Sequence, residues 1–216
     1  MRKRNRIVAT IIVSLVILTM TASTFVLILN SNTGTPTSSA ANPSDSQIQS
    51  LQSSVDGLNQ ALKANPQDVN LRLNLANSYY DLAMAQFNSS SPDQATPNFK
   101  QAVTAYQEVI KSNKDVNVLV DMATAAFYGG DNTLAETTFK QTLTVKPDFF
   151  NGLLNYGYFL MNAKGDYLGA IAEFNKALNT NPSPTDADNV KNLISMAQAK
   201  LVGNANSKSS TTPAGK

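Results

Sequence analysis

The side chains that do covalent chemistry are scarce in this sequence. It has no histidine and no cysteine, so the commonest general base, thiolate nucleophiles, disulfides and the usual metal-binding pairs are all missing. Serines are frequent, but none sits in a nucleophile-elbow pattern, and no glycine-rich loop is shaped to cradle phosphate. Gly129 and Gly130 fall instead in a turn before Asp131. Acidic residues occur singly at expected caps and turns, or beside lysines, where a solvated surface accounts for them. Acid–base catalysis would need two carboxylates brought together by folding. The composition therefore predicts no catalytic site, no metal and no cofactor. It leaves amides, which offer donor and acceptor at once, and aromatic rings, which add apolar contact area. Both are the chemistry of binding.

Charge points to a membrane. Arg2, Lys3, Arg4 and Arg6 account for four of the 17 basic residues, and without them the rest of the chain is slightly acidic against its 15 acids. A nucleic-acid footprint needs basic residues clustered on a folded face, so no nucleic-acid partner is expected. Residues Ile7 to Leu29 are 23 consecutive uncharged residues, about 35 Å as a helix against a hydrocarbon core of about 30 Å. Four cations precede this span and none follows before Lys63. The bias predicts a transmembrane signal-anchor over 7–29, with 1–6 cytoplasmic and the remainder outside the cytoplasm. The alternative is a cleaved signal peptide and a secreted protein, although cleavage after Thr21 to Ser23 would leave an apolar TFVLIL at the new terminus. Without cysteine, a lipoprotein anchor is not available.

Two further segments, 30–46 and 203–216, are rich in Ser, Thr, Asn, Pro and Gly and read as a flexible linker and a disordered tail. Between them, 47–202 reads as one all-helical domain. Ala170, Phe174, Ala177 and Pro182 stand at steps of four, three and five, placing small, large and small residues on one helix face before a proline stop. Ala135, Phe139, Thr142 and Pro147 repeat those steps, and so do Ala102, Tyr106, Val109 and Lys114, with lysine in the last place. Leu58, Ala61 and Pro66 keep the final three. Leu75, Ala76 and Tyr79, then Met122, Ala123 and Ala126, then Tyr156, Gly157 and Leu160 mark the helix that precedes each copy.

Helix pairs recurring with these signatures resemble the tetratricopeptide repeat, whose period is about 34 residues. The resemblance covers about Gln47 to Leu201. The chain departs from the family in lacking tryptophan and in carrying an insertion between Tyr80 and Ala102. It implies an all-α, right-handed superhelix of about three repeats, near 69–114, 116–147 and 150–182, between capping helices near 47–64 and 184–201. Ile48, Leu51, Val55, Leu58 and Leu62 form an amphipathic seam, read as packing on the first repeat, with a weak homodimer contact as the alternative. Thr96 and Pro97 suit an N-cap and first helical position. Ser183, Pro184 and Asp186 suit a capping box for the last helix, whose buried side would hold Ala187, Val190, Ile194, Ala197 and Leu201.

The resemblance also implies a concave groove lined by first helices. Its positions fall on Asn70, Leu73, Asn77, Tyr80 and Asp81, on Asn117, Val120, Thr124, Phe127 and Tyr128, and on Asn151, Leu154, Tyr158, Met161 and Asn162. A row of Asn70, Asn117 and Asn151 could follow a peptide backbone, while Tyr80, Phe127, Tyr128 and Tyr158 would anchor it. Members that grip a free C-terminal carboxylate place Lys or Arg at several groove positions, whereas this chain has Leu73, Asp121, Asn151 and Asn155 where they carry the clamp residues or their neighbours; only Asn77 agrees, so no preference for carboxyl termini is expected. The sequence thus predicts a membrane-anchored scaffold presenting a peptide groove outside the cytoplasm, for assembly or maturation of envelope proteins. The alternatives are a holdase-like chaperone for unfolded segments and an unrecognised enzyme.

Overall fold

Four aspartates set where helices begin. In the computed structural model, which describes residues 45–89, 92–112 and 114–209 (side chains to 203), the Asp68 carboxylate accepts from the Asn70 and Leu71 N–H groups at 2.9 and 3.0 Å. Asp115 accepts from Asn117, Asp131 from Leu134 and Asp166 from Gly169, at 2.8, 2.9 and 2.9 Å. Each cap satisfies donors that the helix cannot, a contribution of about 1 kcal/mol. The elements so started are α2 (Val69–Phe87), α4 (Val116–Tyr128), α5 (Asn132–Val145) and α7 (Tyr167–Leu178). The others are α1 (Asp45–Ala64), α3 (Ala95–Ile110), α6 (Phe150–Phe159) and α8 (Pro184–Ser209). Before α3 comes a 3-10 turn, Pro92–Gln94, and α6 continues into a π turn, Leu160–Lys164. Gly130 and Gly165 close the tight turns at φ +86° and +64°, a region that disfavours side chains.

Each helix packs on its predecessor and successor, giving hairpins α2–α3, α4–α5 and α6–α7 with α1 and α8 at the ends. Among the described residues no strand occurs. The repeated ridge is the core: Ala102, Tyr106 and Val109, Ala135, Phe139 and Thr142, and Ala170, Phe174 and Ala177 are all buried. Thr142 satisfies its hydroxyl by donating to the Thr138 carbonyl at 2.9 Å. Opposite Phe174 lies Gly157, where an added Cβ would stand 2.6 Å from the ring. The seam of α1 is filled from within the chain: Val55 joins Leu75 and Leu82 of α2, with Ile48, Leu51, Leu58 and Leu62 packed alongside. The surface on which a homodimer contact would have rested is therefore covered.

Three expectations need correction. Helix α3 begins at Ala95 after Gln94, not at Thr96 and Pro97, because Ala95 is itself a buried core residue beside Phe99 and the 3-10 turn delivers it there. On α8 the buried residues are Val190, Leu193 and Ala197, while Ile194 is half-buried, so its inner face is rotated towards Leu193. The same helix runs to Ser209, beyond the boundary at 203 set for a disordered tail, since no proline interrupts it before Pro213. The Ser183 hydroxyl accepts from the Asp186 N–H at 3.2 Å and donates to the Asp186 carboxylate at 2.6 Å, half of a reciprocal box. No described helix is long and apolar enough to cross a membrane. The basic residues Arg2, Lys3, Arg4 and Arg6, the 7–29 span, most of the linker and residues 210–216 lie outside the described residues.

Candidate peptide-binding face

The first helices α2, α4 and α6 run side by side, with ring contacts joining α2 to α4 and α4 to α6. Asn70, Asn117 and Asn151 occupy equivalent places, each the second residue of its helix, and all three are exposed. The Asn117 amide is already committed, donating to Asp115 at 2.8 Å within its own cap. Leu73 and Leu154 are half-buried, Leu73 against the core of the first two hairpins. Asn77 has a structural task, because its side-chain oxygen accepts from the buried Tyr106 hydroxyl at 2.8 Å and ties α2 to α3.

Rings collect at the other end of the face. Tyr80 meets Phe99 edge-on at 5.9 Å, Tyr128 stacks on Phe99 at 5.4 Å, and Phe87 meets Tyr128 edge-on at 5.3 Å. Phe127 continues the run to Tyr128 at 4.9 Å and to Tyr158 at 6.3 Å. Burial first, and then the neighbouring Tyr158, raise the Tyr128 hydroxyl. Tyr80, Phe127, Tyr128 and Tyr158 are thus brought together, each half-buried, so each ring is partly core and partly surface. The asparagine row is not part of this cluster: Asn70 and Tyr80 are separated by about 15 Å of helix. A single extended segment lying across the helices would touch one row or the other.

Sequence reasoning missed two features here. One is Phe87, 47% exposed at the end of α2 and in contact with Tyr128. It falls just before the insertion, where the repeat spacing is lost. The other is a pair of carboxylates. Burial, and then the charges of Asp81 and Asp115, push Asp121 up to about 7, and burial raises Asp81 although it keeps contact with solvent. The Tyr80 hydroxyl is raised by burial first, then by Tyr128, Asp121 and Asp81, and Tyr106 is raised likewise by burial and then Asp121. Asp121 was visible as the single charged residue of α4, VNVLVDMATAAFY, but its proximity to Asp81 depends on how α2 and α4 stack. The charge of Asp81 on α2 is thus felt by Asp121 on α4 across the stacked helices. Among the described residues no group of acids could hold a metal ion.

A row of helix hairpins with one ring-lined face is the architecture of a helical-repeat interaction protein. Residues 120–187 match the family model of the tetratricopeptide repeat. Among solved structures it is similar to the crystal structure of MamA, with a TM-score of 0.50 and 14% identity, covering 76% of this chain and 98% of that one. A second structure, "Crystal structure of MamA protein", matches with a TM-score of 0.47 and 16% identity over 78% of this chain and 90% of that one. At such identities the likeness concerns the fold alone. No curated protein matches the chain.

Proposed function

We propose that this protein is a membrane-held scaffold whose α2–α4–α6 face binds a segment of another protein outside the cytoplasm, serving the assembly or maturation of envelope proteins. The observation that carries the binding reading is the continuous run of half-exposed rings from Phe87 and Tyr80 through Tyr128 and Phe127 to Tyr158. Rings held in place by core contacts lose little freedom when a partner covers them. The four cations before Ile7 and the uncharged span to Leu29 support the anchor and its orientation.

A crosslinked pull-down from membranes tests the face. The triple variant Tyr80→Ala, Phe127→Ala and Tyr158→Ala, shown by circular dichroism to remain helical, should lose a partner that the native chain retains. Recovery of the same partners by both chains would refute the reading. Many partners, all released by a high-salt wash, would select the holdase alternative. Orientation is tested separately: external protease on spheroplasts should remove a C-terminal tag from the membrane fraction. A protected tag would reverse the topology, and a tag free in the medium would select the secreted alternative.

A further inference from the structure

Asp68 and Asp115 stand two residues before Asn70 and Asn117 and cap α2 and α4. Before α6 the aspartate falls one residue earlier, at Asp148, so Phe149 holds the cap position and makes no side-chain bond to the helix. The N–H groups of a first turn find no acceptor within their own helix. In α6 they therefore go without the acceptor that Asp68 gives to Asn70 and Leu71. One of them belongs to Gly152. This glycine is fixed by packing, because an added Cβ would stand 3.1 Å from Leu143, 3.3 Å from Phe149 and 3.4 Å from Thr142. Immediately before it Asn151 is exposed. Asn151–Gly152 is the one asparagine–glycine pair in the sequence.

We infer that Asn151 is a site of spontaneous deamidation, at which the chain alters its own backbone at the start of α6. When the first turn opens, the Gly152 nitrogen reaches the side-chain carbonyl carbon of Asn151, and glycine has no side chain to obstruct the approach. The N–Cγ bond forms and the Cγ–Nδ2 bond breaks. The Gly152 N–H proton passes through water to the departing nitrogen, which leaves as ammonia, and a cyclic imide remains. Water then opens the ring at either carbonyl. One product is an aspartate; the other is an isoaspartate, whose main chain runs through the former side chain. Related pairs are held closed. Asp56–Gly57 lies inside α1, where the glycine N–H belongs to the helical ladder. Asn77 accepts from the Tyr106 hydroxyl, and after Asn88 the Ser89 N–H donates to the Gln86 carbonyl at 3.2 Å. The two products differ in consequence. An aspartate suits the first turn, since the helix dipole favours a negative charge there, and it adds that charge to an exposed place on α6. An isoaspartate lengthens the backbone by one carbon and breaks the turn. The inference does not depend on what the face binds.

The test incubates the full chain in a non-ionic detergent at pH 8, folded and in urea, and follows each asparagine by peptide mapping. Mass spectrometry reads the change of amide to acid, and electron-transfer fragmentation separates the two acids. In the folded chain Asn151 should convert first among the asparagines of 45–209, giving both products, at a rate below that in urea. Conversion in urea with none at Asn151 in the folded chain would overturn the inference. Conversion spread evenly over the asparagines of the folded chain would overturn it too. Phe149→Asp restores the cap that α2 and α4 carry. With its fold checked by circular dichroism, it should slow the folded chain about fivefold, the share of opening that a cap suppresses, and leave the rate in urea unchanged. An equal folded rate would refute the missing cap as the cause, while the comparison of folded and unfolded native chain decides the inference even if that variant fails to fold. Asn151→Gln should abolish the change, because its longer side chain closes a larger ring slowly. The isoaspartyl fraction, resolved by chromatography, should unfold at lower urea than Asn151→Asp; equal midpoints would contradict the loss of the first turn.

Discussion

Asp121 shows how a single residue can make stability depend on pH. Its carboxyl is raised from 3.8 to about 7 in the folded chain, so between those values the folded state keeps a proton that the unfolded state gives up. Stability from this residue is therefore fully present in acid and is lost as pH rises towards 7, and Asp81, raised as well, contributes with the same sign. Asp121→Asn removes the charged state. It should stabilise the protein on the order of 2–4 kcal/mol at pH 8, with the gain shrinking towards pH 4. Urea unfolding of native and variant chains across that range measures it, and a gain independent of pH would contradict the assignment.

At the scale of the helix, backbone distance decides what a glycine does. A Cβ added at Gly157 would stand 2.6 Å from the Phe174 ring, whereas one added at Gly57, on the exposed side of α1, would meet nothing within 4 Å. Gly157→Ala should destabilise by about 1–3 kcal/mol through overpacking between α6 and α7. Gly57→Ala should stabilise by up to about 1 kcal/mol through helix propensity alone. Opposite shifts of the urea midpoint are the expected outcome; two shifts of the same sign would mean that α6 and α7 can move apart. These elements were legible in the sequence because their information is local: the small–large–small ridges repeat at fixed steps and land in the core. The start of α3 was not legible, because Ala95 is drawn into the helix by burial against residues distant in sequence. Leu193 was missed for a related reason, since which side of α8 turns inward is set by α7. The rings of the candidate face could be named from the sequence, but their division from the asparagine row and the influence of Asp81 on Asp121 arise only from stacking.

Within 45–209, each helix rests chiefly on its neighbours in order, so stability accumulates along the array instead of around one centre. The ends then matter unequally. Removing α1 would bare Leu75, Leu82 and part of Tyr79, so a fragment beginning at Asn65 should unfold at lower urea and self-associate. The fragment 45–209 should sediment as a monomer, because its seam is already occupied. Sedimentation of both fragments checks this, and a dimeric 45–209 would revive the seam as a contact between copies. The recurrence of the Asp cap and the buried ridge has another consequence, which concerns growth. The α4–α5 hairpin, 116–147, packs against the hairpins on both sides, so a gene duplicated over that stretch would insert a further hairpin between neighbours of the same kind. The longer protein would keep both of its ends and span more of a partner's chain. In such a molecule the reach of recognition is set by how many times one short sentence of sequence is copied.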